Sequence, residues 1–227
     1  MLLLVTDTSG KRGSVGLVRA GETSKSIDVI EEVPLSGGTF SAQLVPQIAG
    51  LLEKHEFTKA DIGAFIVVSG PGSFTGLRVG LAAIKALAEI LDKPIAPVSL
   101  LEAVALNQDG SGRIFTALDA GRGEVYVGEY EVNSNSIRML HEKLLPKDEF
   151  RDLAREAAVA TPDAVIAEWL RAAGHTVSSV DRPNAATIAT LGWTKLQAGQ
   201  AVAPDQLEAN YIRRSDAEIF AKPASGS

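Results

Sequence analysis

An α/β fold in two lobes is predicted by three observations. Apolar segments of strand length alternate with segments of helical spacing. Three strands, a helix, a strand and a helix occupy the first half of the chain, and a looser version of that order recurs in the second. Between them, Asp109-Gly110-Ser111-Gly112 makes a turn-rich break. The 227 residues suffice for one large domain or two small ones with an ample core. The expected division is 1–110 for a first lobe, 111–221 for a second and 222–227 for a flexible tail of Lys, Pro, Ala, Gly and Ser.

Residues 2–6 and 14–18 read as two strands joined by the polar turn Ser9-Gly10-Lys11-Arg12-Gly13. Residues 26–32 alternate Ile27 and Val29 against Asp28 and Glu31, as a third, antiparallel strand would. Residues 34–38 are expected to form a loop. Leu44, Ile48, Leu51 and Leu52 give 41–54 helical spacing, with Pro46 tolerable only near the first turn. The run Ala64-Phe65-Ile66-Val67-Val68 has the β-branching of a buried strand and enters the turn Ser69-Gly70-Pro71-Gly72. Ser73 or Thr75 can then cap a helix that continues through Val79, Leu81, Ile84, Leu87 and Leu91. Residues 94–98 read as a strand and 100–106 as a short helix. In the second half, 114–118, 124–132 and 137–145 read as strands, and 147–157, 164–173 and 185–197 as helices.

Composition excludes several classes. Hydrophobic content of 45% and charged content of 22% are ordinary for a globular protein. No apolar run reaches the roughly 20 residues of a membrane span, and Leu2-Leu3-Leu4-Val5 is too short for a signal core. With no cysteine there is neither a disulfide framework nor a thiolate metal site; a cytoplasmic protein is the expectation. A net charge of −6 argues against broad nucleic-acid binding, which relies on cations at phosphates.

Candidate chemistry is sparse. Asp7 ends a buried strand before Thr8-Ser9-Gly10, so Asp7, Thr8 and Ser9, with Gly70 and Gly72, could line a phosphate site; alternatively, Asp7 caps its own turn. Glycines beside a helix start let a phosphate or a backbone approach, and the same string also serves as a tight turn with no ligand. His55, His141 and His175 are far apart in the chain and none has a ligand partner at helical spacing, so no metal is expected. No nucleophile elbow or triad is present, so no catalytic residue is assigned. Asp119 and Glu124 could pair with Arg122 across a turn, as a solvated ion pair. The helix at 74–91 is apolar nearly all round, with Arg78, Lys85 and Glu89 the main interruptions. One face can pack on the sheet and another needs a cover, either within the domain or from a partner.

Ser69-Gly-Pro-Gly-Ser-Phe-Thr-Gly-Leu-Arg78 closely resembles the signature of the bacterial TsaB (YeaZ) family. Four further segments resemble that family in the right order: residues 3–9, Phe40-Ser41-Ala42-Gln43-Leu44-Val45-Pro46, Asp119 to Tyr126, and Tyr211-Ile212-Arg213. Two positions depart from it, with Phe40 where the family has histidine and Gly121 where arginine is usual. The resemblance implies an actin-like ATPase (ASKHA, ribonuclease H-like) fold with a reduced C-terminal lobe. It also implies a noncatalytic subunit in the formation of N6-threonylcarbamoyladenosine (t6A) at tRNA position 37. Such a subunit dimerises with a TsaD-like transferase, helps dock a TsaE-like ATPase, forms a homodimer when alone and meets tRNA through the complex. The interface it implies lies on the two helices, at Leu44, Ile48, Leu51, Phe74, Leu77, Arg78, Leu81, Ile84 and Lys85. No cofactor is required by this chain, although ATP can belong to the assembled complex. The rival reading is an independent ASKHA kinase or ATPase using Asp7 and the 70–76 loop.

Overall fold

The computed structural model describes residues 1–21, 26–36, 38–108, 110–133 and 136–212. The order of elements is β1 (Leu2–Asp7), β2 (Arg12–Ala20), β3 (Ile27–Ser36), α1 (Phe40–Lys54), β4 (Ile62–Gly70), α2 (Phe74–Leu91), β5 (Ile95–Ser99) and α3 (Leu100–Leu106). There follow β6 (Gly112–Gly121), β7 (Glu124–Asn133), β8 (Ser136–Pro146), α4 (Lys147–Leu153), β9 (Ala158–Thr161), α5 (Ala164–Ala172), β10 (Val177–Ser179) and α6 (Ala185–Gln197).

The strands form two five-stranded sheets, ordered β3-β2-β1-β4-β5 and β10-β9-β6-β7-β8. In the first, β1 pairs antiparallel with β2 and parallel with β4, and β4 pairs parallel with β5. Every residue of β1 is buried, as expected for a strand with both sheet faces covered. Its side chains alternate: Leu2 and Leu4 join the core beneath α1 and α2, while Leu3 and Val5 join the core that α3 and α6 share with the second sheet. A third core lies between the second sheet and α4 and α5, around Phe115, Val127, Phe150 and Leu170. The layers are therefore α1 and α2, the first sheet, α3 and α6, the second sheet, then α4 and α5.

Several expectations shift. The loop expected from residue 34 begins later, because Pro34, Leu35 and Ser36 still pair with Ser14, Gly13 and Arg12. The helix expected over 147–157 stops at Leu153, and after a short turn the chain enters β9 at Ala158, a strand that pairs parallel with β6. The division near residue 110 separates the two sheets, yet α6 crosses back to pack on β2 and β5 of the first. Residues 222–227, Asp109 and Arg213 lie outside the described residues.

Candidate functional site

Two regions gather the residues singled out by sequence. The first is the turn between β1 and β2. Asp7 is almost wholly buried, and its Oδ1 accepts hydrogen bonds from the Ser9 backbone N–H at 2.8 Å and the Ser9 hydroxyl at 2.5 Å. The Asp7 carboxylate thus caps its own turn. Its other oxygen pairs with Arg182 Nη2 at 2.9 Å, and the same nitrogen lies 2.9 Å from Ser9 Oγ. Arg182 stands between β10 and α6, 175 positions from its partner.

The glycine loop closes on this turn from the other side. Ser73 caps α2, its hydroxyl accepting from the Gly76 N–H at 3.2 Å. The Ser73 N–H, which a phosphate would need, donates to the Ser9 carbonyl at 2.7 Å. A Cβ at Gly72 would collide with the Ser9 carbonyl, one at Gly76 with the Thr8 carbonyl, and one at Gly80 with the Thr8 hydroxyl. These three glycines, four residues apart, let α2 lie directly on the turn. The Phe40 ring fills the remaining side, 2.9 Å from where a Gly13 Cβ would stand. Asp7, Thr8, Ser9 and Gly72 are therefore brought together as a packed unit, whereas Gly70, at the end of β4, lies against the Asn210 carbonyl. A cleft of about 590 Å³ opens beside it, lined in part by Lys11, Arg12, Arg182, Asp119, Asp163 and Tyr126. Two groups that a nucleotide or its metal would use are already engaged, the Asp7 carboxylate by Arg182 and the Ser73 N–H by the Ser9 carbonyl.

The second region is the outer surface of α1 and α2, which pack side by side on the first sheet. Here the interface residues named from sequence divide. Leu44, Ile48, Leu51, Leu77, Leu81 and Ile84 are buried in this chain's own core and present nothing to a partner. Helical periodicity finds the strongest apolar stripe, and that stripe covers the sheet. Phe74 is 41% exposed, Arg78 is exposed and Lys85 is half-buried. The outward faces carry Ala42, Val45, Pro46 and Ala49 on α1 and Ala82, Ala86 and Ile90 on α2. Val45 and Ile90 are 51% and 73% exposed. The interface expected from sequence did not include these residues.

The segment after α6 borders this surface. Tyr211 lies 5.3 Å from Phe74, centroid to centroid, and its hydroxyl accepts from Arg78 Nε at 3.1 Å. The Arg78 guanidinium sits 3.7 Å over the Phe74 ring. Lys85 Nζ donates to the Asp205 and Leu207 carbonyls at 3.3 and 3.4 Å. The motif at 69–78 and the one at 211–213 thus meet at Arg78 and Tyr211. Behind them Glu142, on β8, accepts from Ser99, from Tyr130 at 2.5 Å and from Asn210 at 2.6 Å, tying both sheets to the C-terminal segment. Burial, reinforced by the Glu142 charge, pushes the Tyr130 phenol far up, so it remains a donor.

His55 pairs with Glu31 at 2.7 Å and His141 with Glu129 at 3.1 Å, in separate places. No group of three or more His, Asp or Glu is arranged to hold a metal among the described residues. Asp119 reaches Lys147 at 3.9 Å, and its backbone N–H donates to Asp163 at 2.7 Å. No helix of the described residues is long and apolar enough to cross a membrane.

The two-sheet architecture is that of an actin-like (ASKHA) protein. The family model described as "TsaD: tRNA N6-adenosine threonylcarbamoyltransferase" matches residues 35–203. The chain belongs to the TsaB (YeaZ) family of this glycoprotease-like superfamily. It is 29% identical over 184 residues to the Bacillus subtilis "tRNA threonylcarbamoyladenosine biosynthesis protein TsaB", covering 81% of this chain and 69% of that protein. It is 30% identical to the Escherichia coli protein of the same description over 60% of this chain, which is 58% of that relative's length. A Pseudomonas aeruginosa protein described as similar to peptidase YEAZ superposes with a TM-score of 0.74 at 25% identity, over 93% of this chain and 99% of that one.

Proposed function

We propose that this chain is a noncatalytic subunit required for t6A formation at tRNA position 37, acting as dimerisation partner and scaffold for a TsaD-type transferase. The observation that carries this reading is the uncovered apolar face of α1 and α2. Contiguous exposed apolar surface marks a contact site, and the small side chains Ala42, Ala49, Ala82 and Ala86 let a partner's helices approach closely. The names of the relatives from B. subtilis and E. coli support the pathway. On this reading the transferase supplies the chemistry, a TsaE-type ATPase docks on the joint surface, tRNA is met through the complex, and the chain alone pairs with a second copy in the cytoplasm. Asp7, engaged by Ser9 and Arg182, speaks against the rival reading of an independent kinase or ATPase.

Size-exclusion chromatography with light scattering, on the chain with and without the TsaD-type transferase of the same genome, tests the reading. A homodimer replaced by an equimolar heterodimer is expected. A chain that stays monomeric, and ignores the transferase at micromolar concentration, contradicts it.

A further inference from the structure

We propose that Arg182 is a built-in ligand of the interlobe cleft, a positioning residue that keeps the β1–β2 turn and the start of α2 in place without any nucleotide. Arg182 belongs to the segment that leaves β10 in the second sheet and returns to the first sheet as α6. Its guanidinium reaches Asp7 and Ser9, each at 2.9 Å, and lies so close to Gly10 that a Cβ there would stand 2.9 Å from Nη2. One cation from the second half of the chain thus neutralises a carboxylate that is 3% exposed in the first. A buried carboxylate left without such a partner is strongly destabilising, so the counter-charge supports the fold.

The consequence reaches α2. The Ser9 oxygens face both ways: the hydroxyl toward Asp7 and Arg182, the carbonyl toward the Ser73 N–H at 2.7 Å. Gly72 and Gly76 rest on the backbone of Ser9 and Thr8. The ion pair therefore fixes the seat of α2, whose outer face carries Ala82, Ala86 and Ile90. The chain thus supplies from its own second half the cation that holds this seat.

Hydrogen exchange and thermal melting of the full chain test the inference. ATP, ADP or inorganic phosphate, each with Mg²⁺ at millimolar concentration, should leave the wild-type melting temperature unchanged. Arg182→Ala should lower it by about 6–12 °C. The same change should speed amide exchange at Ser73 and Ser9 at least about tenfold, with α4 and α5 unaffected. Arg182→Lys should restore part of both, and Asp7→Asn should give the same local exchange pattern. If Arg182→Ala does not fold, Arg182→Lys alone must still show faster exchange at Ser73 than wild type. Saturable stabilisation of the wild type by a nucleotide overturns the proposal. So does an Arg182 variant, alanine or lysine, whose Ser73 amide exchanges as slowly as before.

Discussion

The β1–β2 turn and the outer face of α1 and α2 contain the most distinctive residues of the chain, and they are opposite in kind. At the turn, charged and polar groups find partners inside the molecule: Asp7 with Ser9 and Arg182, the Ser9 carbonyl with Ser73. On the helix face, apolar groups are left uncovered, with Val45 and Ile90 more than half exposed. Satisfied groups hold a structure together, whereas uncovered apolar groups indicate what is missing from it. A glycine loop beside an acidic strand end therefore serves here as a packing device, and the exposed apolar residues lie on the helices that the loop positions.

Changes that fill the packed turn should have the largest effect. Gly76→Val or Gly80→Val places side-chain atoms on Thr8, where nothing can give without moving β1 or α2. A loss of about 3 kcal/mol or more is expected, seen as a melting shift or as insoluble protein. A normal melting temperature would show that the turn is looser than described. Two neighbouring charges sharpen the contrast on α2. Ile84→Glu buries a carboxylate in the core and should abolish cooperative unfolding, whereas Ala86→Glu, two residues on and exposed, should change stability by less than about 0.5 kcal/mol. Equal effects by circular dichroism would remove the distinction between the two faces.

Smaller effects belong to the polar ties. Tyr130→Phe removes one of the three side-chain donors to Glu142 and should cost about 1–3 kcal/mol, read by chemical denaturation. A neutral result would mean that water replaces the phenol. The smallest effect is at Glu31. Hydrogen bonds from Lys54 and then His55 hold its carboxyl below the ordinary carboxylate range. A depressed folded pKa gives stability that is complete above that range and lost as pH falls through it. Glu31→Gln should therefore slightly lower the melting temperature at pH 7, and the difference should vanish in acid.

Much of this was legible in the sequence because it is local. The three-strand opening, the strand-turn-helix at the glycine loop and the helix over 100–106 follow from apolar period and cap residues, and Ser73 caps as its position suggests. The strands β9 and β10 were missed. They are only four and three residues long, and parallel pairing with β6 and with each other makes strands of Ala158–Thr161 and Val177–Ser179. The partner of Asp7 was invisible for a different reason, since nothing near Arg182 in sequence announces a contact 175 positions away. Of the interface residues expected from sequence, Leu44, Ile48, Leu51, Leu77, Leu81 and Ile84 lie in this chain's own core, whereas Phe74 and Arg78 are exposed. Large apolar residues mark the side a helix buries in its own domain, and the exposed side of these two helices carries Ala42, Ala49, Ala82 and Ala86.

The affinity of the TsaD-type transferase for this chain, measured by calorimetry with the double variant Val45→Glu and Ala86→Glu, tests the central claim most directly. Both positions are exposed, so the variant should keep the wild-type fold and melting temperature. With charges inside the helix–helix contact, the dissociation constant should rise about 30-fold or more. An unchanged dissociation constant in a folded double variant would contradict the account and move the partner surface off these two helices.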